Sequence, residues 1–207
     1  TETREKLGFS AGYPTVSVDD PRYTVTLPRN QTIYTSLDAF AHAVESACSS
    51  YSRPYTVLLA REAIEKIARY LPVAVEEPGD IEARYWLLYA SMIAGIGIDH
   101  GVTHYGHLIE HLLTGYNPEL PHGAGLGMVH RKLIGIIYRH DPTTMAYILQ
   151  PLDPSLKPVS SDWEKAVKAY ESFLERIGFK ERLSDYGFGE ESIREVLELY
   201  DKLFEVR

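Results

Sequence analysis

One stretch of this chain alternates like a β-strand, and the chain offers it no partner. Residues 13–27, YPTVSVDDPRYTVTL, set β-branched and aromatic residues around an Asp-Asp-Pro turn, which is strand or extended chemistry. From about Thr35 onward the apolar spacing is helical. A lone strand leaves its own N–H and C=O groups unsatisfied. The segment therefore lies extended over helices, or its sheet belongs to another polypeptide segment. The remainder must bury its apolar surface helix on helix.

The punctuation divides that remainder into seven or eight helices. SLDAFAHAVESACSSY offers Thr35 or Ser36 as N-cap, with Asp38 in the first turn. Pro54 suits the first position of PYTVLLAREAIEKIARYL, which Pro72 should end or kink. A Pro-Gly-Asp turn at 78–80 precedes IEARYWLLYASMIAGIGI, apolar on every side and predicted to be a buried helix. The histidine-rich segment 104–123 follows, then GLGMVHRKLIGIIYRH, PTTMAYILQ, SDWEKAVKAYESFLERIG and EESIREVLELYDKLFEV. The expectation is an all-α, multi-helical fold, with a short extended segment at its start.

Charge and cysteine usage exclude several functions. A net charge of -8 argues against nucleic acid or an anionic membrane as partner. No run of about 18 apolar residues stands as a candidate spanning helix. The single cysteine, Cys48, rules out an internal disulfide and fits a reducing cytoplasm, where it reads as a small buried apolar residue.

Histidine is where the chemistry concentrates. HYGHLIEHLLTGYNPELPHG, residues 104–123, holds four of the chain's eight histidines. His107 and His111 stand four apart and share a helix face, which His104 can join. His122 sits between a proline and a glycine, at a turn or helix start. Upstream, Asp38 and His42 are again four apart. Two helical pairs and a turn histidine suffice for a closed site of imidazole and carboxylate, suited to Fe(II) or Zn(II) more than to Ca or Mg. Taken singly the pieces are weak, since Asp38 and His42 could be an exposed ion pair and there is no HExxH glutamate. His100, His130 and His140 read as ordinary, the last two at helix ends where imidazole favours the dipole. GAGLG at 123–127 reads as close helix packing rather than a phosphate loop.

In order, YPTVSVDDPRYTVTLPRNQT, LDAFAHAVES, AGIGIDHGVTHYGHLIEH and PHG resemble the C-terminal half of the iron-containing (group III) alcohol dehydrogenases. LERIGFKERLSDYGFGEESI is similar to that family's closing helices. The resemblance implies the dehydroquinate synthase-like helical architecture, with Asp38, His42, His107 and His122 as metal ligands. It makes His111 the further active-site histidine, a proton relay near substrate and nicotinamide. Ile98 takes a position where many members place an aromatic beside the nicotinamide. Ser36 replaces a common glycine, and the loop from His107 to His122 is one residue longer than usual.

The resemblance further implies NAD- or NADP-dependent oxidation of a small alcohol, or reduction of an aldehyde or ketone, with the metal as Lewis acid on the substrate oxygen. Tyr34, Tyr105 and Tyr116 would line the substrate space. Residues 1–27 would be a remnant of the nucleotide-binding domain plus linker, and 28–207 the helical metal-binding catalytic domain. The nucleotide-binding domain is then a partner, in cis or in trans, and a homodimer is a further expectation. Rival readings are a non-catalytic metal-binding domain or split-gene subunit, and a related metal-dependent lyase.

Overall fold

The computed structural model describes residue 6 and residues 12–205. These contain eight α-helices and no strand: α1 (Arg29–Cys48), α2 (Pro54–Glu76), α3 (Ile81–Gly101), α4 (Tyr105–Tyr116), α5 (His122–His140), α6 (Pro142–Leu149), α7 (Trp163–Arg176) and α8 (Glu190–Glu205). None of the described helices is long and apolar enough to cross a membrane.

α1 is the hub and packs against α2, α3, α4, α5 and α6. Its side chains Ile33, Leu37, Phe40 and Val44 are almost fully buried. Phe40 stacks on Tyr170 of α7 with ring centroids 5.1 Å apart. The glycines of α5 allow α1 to come close, because a β-carbon on Gly123 would overlap the Tyr34 carbonyl. The 123–127 run is therefore a packing surface, as its composition implies.

Several starts fall where the punctuation puts them. Pro54 and Pro142 open α2 and α6, while Asp80 caps α3 by accepting from the Ala83 amide at 2.9 Å. Residues 13–20 form no strand among the described residues, in keeping with the reading in which the segment lies over the helices. They run without regular structure into a 3-10 turn at Pro21–Thr24 that packs on α3, and the Tyr13 hydroxyl donates to Asp99.

α1 begins at Arg29, more than a turn before the expected cap. The Thr35 and Ser36 hydroxyls donate back to the carbonyls of Gln31 and Thr32, at 2.9 and 2.8 Å, so both residues sit inside the helix. Asp38 is thereby a mid-helix residue rather than a first-turn one. α3 is covered on one face only, and Ile81, Tyr85 and Met92 remain exposed.

α2 runs through Pro72 to Glu76. Proline has no N–H to give the Ala68 carbonyl four residues back. Arg176, at the end of α7, supplies the missing donor, its Nη2 lying 2.7 Å from that oxygen. Arg176→Ala should therefore cost about 1–2 kcal/mol in chemical denaturation. In a Pro72→Ala background, where the helix satisfies its own carbonyl, the cost should shrink clearly. Equal costs in both backgrounds would contradict this account.

Candidate metal centre

α1 presents Asp38 and His42 from one face, one turn apart. α4 contributes His107, and α5 begins with His122 directly after Pro121. The four side chains converge on one oxygen. Asp38 Oδ1 lies 3.4 Å from His42 Nε2, 3.5 Å from His107 Nε2 and 3.5 Å from His122 Nε2. The His42 and His107 rings stack with centroids 4.6 Å apart.

These separations are long for hydrogen bonds. Asp38 Oδ1 and His107 Nε2 are buried and have no hydrogen-bond partner. Four donors about 2.1 Å from one ion in a tetrahedron stand about 3.4 Å apart, so the three Asp38–imidazole separations and the orphaned atoms suit a divalent ion. Asp38, His107 and His122 bring ligand atoms within 4.8 Å of one another, and His42 joins them through its approach to Asp38. A second group, Glu110, His111 and His122, also offers ligand atoms within 4.8 Å of one another.

Behind His107 stands Glu45 of α1, which is 0% exposed. Its Oε1 lies 2.9 Å from His107 Nδ1 and accepts from the His107 amide at 3.1 Å. Its Oε2 accepts from the His104 amide at 2.5 Å. His104 is the N-cap residue of α4 and makes no side-chain cap, so a carboxylate from α1 takes the orphan amides of that helix start. The adjoining Val102 holds φ at 55°, a strained value for a β-branched residue, in the turn that delivers α4 to this carboxylate.

Burial pushes the Glu45 carboxyl up, but the His107 hydrogen bond, the His130 and His107 imidazoles and the His104 amide outweigh it and hold its pKa at about 2. Burial likewise opposes charge on His107, yet the Asp38 and Glu45 carboxylates on its two sides raise it to about 9. His42 is driven down to about 4 by burial, against the pull of Asp38.

The residues that the sequence singles out as ligands thus lie together. His111, on α4, is half-buried with its ring 5.5 Å from that of His122 and 6.2 Å from that of His107. Ile98 is half-buried near the end of α3, its carbonyl accepting from the Val102 amide at 2.8 Å.

Two of the three expected lining tyrosines serve packing instead. Tyr34 sits in the core with its hydroxyl donating to Glu181 at 2.6 Å, and Tyr116 packs on Phe188. Tyr105 is open, at 59% exposure. His130 is not at a helix end. It lies mid-way along α5, fully buried, with Nδ1 3.0 Å from the Leu126 carbonyl and Nε2 3.6 Å from Glu45. His140 does end α5, and His100 is exposed in the last turn of α3. Cys48 is half-buried, its sulfur 3.5 Å from that of Met145.

Sequence reasoning overlooked Glu45 and Glu110. Both left a signal: each is an isolated acid in an apolar helical stretch, AHAVESA and HLIEHLL, one turn from a histidine of the site.

A carboxylate ringed by three imidazoles on packed helices is the donor set of a mononuclear transition-metal site. The chain is similar to known proteins over most of its length. Residues 32–200 match the Fe-containing alcohol dehydrogenase family, C-terminal. Over 193 residues the chain is 38% identical to the long-chain primary alcohol dehydrogenase AdhA of Thermoanaerobacter ethanolicus, covering 93% of this chain and 48% of that protein. Over 184 residues it is 32% identical to the NAD-dependent methanol dehydrogenase of Bacillus methanolicus, covering 87% and 48%. A crystal structure of an archaeal halo-thermophilic Red Sea brine pool alcohol dehydrogenase superposes with a TM-score of 0.85 at 29% identity, covering 94% of this chain and 50% of that one. The chain belongs to the iron-containing alcohol dehydrogenase family and corresponds to its C-terminal part. It spans about half the length of the curated relatives it matches.

Removing Glu45 tests how far the site and the fold share one support. Glu45→Ala strands the buried His107 and two amides, and should cost about 3–5 kcal/mol in urea denaturation. Glu45→Gln keeps an acceptor and should cost less. A Glu45→Ala protein within about 1 kcal/mol of the parent would refute the role.

Proposed function

We propose that Asp38, His42, His107 and His122 hold one divalent ion, Fe(II) or Zn(II), and that this chain is the metal-binding half of an NAD- or NADP-dependent alcohol dehydrogenase. The observation that carries the reading is the unpartnered Asp38 Oδ1 with three imidazole nitrogens at 3.4–3.5 Å. The ion supplies, when bound, a Lewis acid for the oxygen of a small alcohol or aldehyde.

The chain's own residues do the remainder. Asp38 is the one anionic donor, and its place on the hub helix keeps it rigid. His107 is oriented through its Nδ1 by Glu45, which leaves Nε2 to face Asp38. His111 stands beside the cluster and is partly open to solvent, so it can pass a proton between the substrate hydroxyl and water. Ile98 is the proposed neighbour of the nicotinamide.

In this reading residues 1–27 are a remnant of the nucleotide-binding domain plus linker, and 28–207 are the catalytic metal domain. The nucleotide-binding domain acts with this chain in cis or in trans. Assembly as a homodimer, and residence in the cytoplasm, complete the proposal.

Elemental analysis of the purified 207-residue chain tests the ligand set. The chain should carry about one equivalent of metal, and His107→Ala or His122→Ala should abolish it. His140→Ala should keep it, as should His111→Ala. If His111→Ala lost metal as fully as His107→Ala, the ligand set would be mis-assigned. No glycine-rich turn follows a strand anywhere in this sequence, and the described residues contain no strand. Calorimetric titration of these 207 residues with NADH should therefore give no measurable heat, and micromolar binding would contradict the division of labour.

A further inference from the structure

We infer that Glu110 is the positioning residue for His122: its buried carboxylate accepts a hydrogen bond from the Nδ1–H and fixes the tautomer whose Nε2 lone pair faces Asp38. The inference rests on the metal-centre reading for its effect on affinity, and on geometry alone for the tautomer.

Glu110 is 0% exposed on α4, three residues after His107. Its Oε2 is in hydrogen-bond contact with His122 Nδ1, and its Oε1 accepts from the Thr114 hydroxyl one turn on. Gly125 makes the space, since a β-carbon there would stand 2.8 Å from Glu110 Cγ. The carboxylate is thus held from both sides, and α5 carries His122 directly against it.

Lys6 provides a rival donor. Its ammonium lies 3.1 Å from Glu110 Oε2 and 2.8 Å from His122 Nδ1. If Lys6 donated to Nδ1, a carboxylate oxygen and an imidazole lone pair would be pressed together with no proton between them. The ring proton would then sit on Nε2, 3.5 Å from Asp38 Oδ1, too far for a good hydrogen bond. With the proton on Nδ1, the closest contact is a charge-assisted bond, and Lys6 is left to neutralise Glu110. The centre is then built symmetrically: Glu45 stands behind His107 on one side and Glu110 behind His122 on the other.

The orienting partners of metal-bound histidines typically govern affinity by about 10–100-fold. Two readouts separate this claim from the metal reading. The first is ¹⁵N NMR of the histidine rings in metal-free protein, assigned with His122→Ala. The parent and Lys6→Ala should both show His122 protonated on Nδ1, and Glu110→Ala should not. The second is Co(II) titration, in which Glu110→Ala should bind about 10–100-fold more weakly. Glu110→Gln, whose amide oxygen still accepts, should recover most of the loss, and circular dichroism should show both variants folded.

A His122 protonated on Nε2 in the parent would overturn the inference. So would a Glu110→Ala protein with parental Co(II) affinity, or a Glu110→Gln as weak as Glu110→Ala. Failure of the parent to bind Co(II) at all would overturn the metal reading, while the NMR result would still decide the tautomer.

Discussion

An ionised carboxylate with no solvent contact survives only where donors surround it. Glu45 is that group here, and much of the molecule is arranged around satisfying it. Two amides from the start of α4 and the Nδ1 of His107 meet its oxygens. Gly106 is required beside it, because a β-carbon there would run into the carboxylate and into His130. One interaction thereby caps a helix, aims a candidate ligand and ties α4 to α1. The fold and the site do not have separate supports.

The arrangement also explains why the donors are so closely placed. Asp38 and His42 ride on the helix that packs against α2, α3, α4, α5 and α6, so their positions are set by the whole core. His122 is placed by the start of α5, where Gly123 lets the backbone approach Tyr34. His107 is placed by the capping carboxylate. Three separate devices converge on a single oxygen, Asp38 Oδ1, which has no hydrogen-bond partner.

The legible parts of the sequence were those decided locally. Pro54, Asp80 and Pro142 mark helix starts because proline geometry and a capping side chain act within a few residues. Asp38 with His42, and His107 with His111, were visible because four-residue spacing means one helix face. The misread features each depended on a remote partner. Pro72 stays within α2 because Arg176, over a hundred residues away, takes the freed carbonyl. Thr35 and Ser36 read as caps when considered alone, but they sit inside a helix that the core extends to Arg29. His130 reads as an ordinary helix-end residue, but it lies mid-helix against Glu45, which comes from another helix. Residues 13–20, by contrast, follow the reading that the lack of a partner strand allowed, and carry no regular structure. Buried carboxylates supporting histidines are the hardest to read, since each acts across elements that only the folded chain brings together.

The central claim is that the cation belongs at Asp38, and not at the neighbouring Glu110–His111–His122 group that also brings three donors within 4.8 Å. Anomalous diffraction from crystals grown with Co(II) separates the two directly. The account predicts one strong peak within coordination distance of Asp38 and the Nε2 atoms of His42, His107 and His122, with Glu110 still bonded to His122 Nδ1. A peak held by Glu110 and His111, with Asp38 left without a metal neighbour, would contradict it.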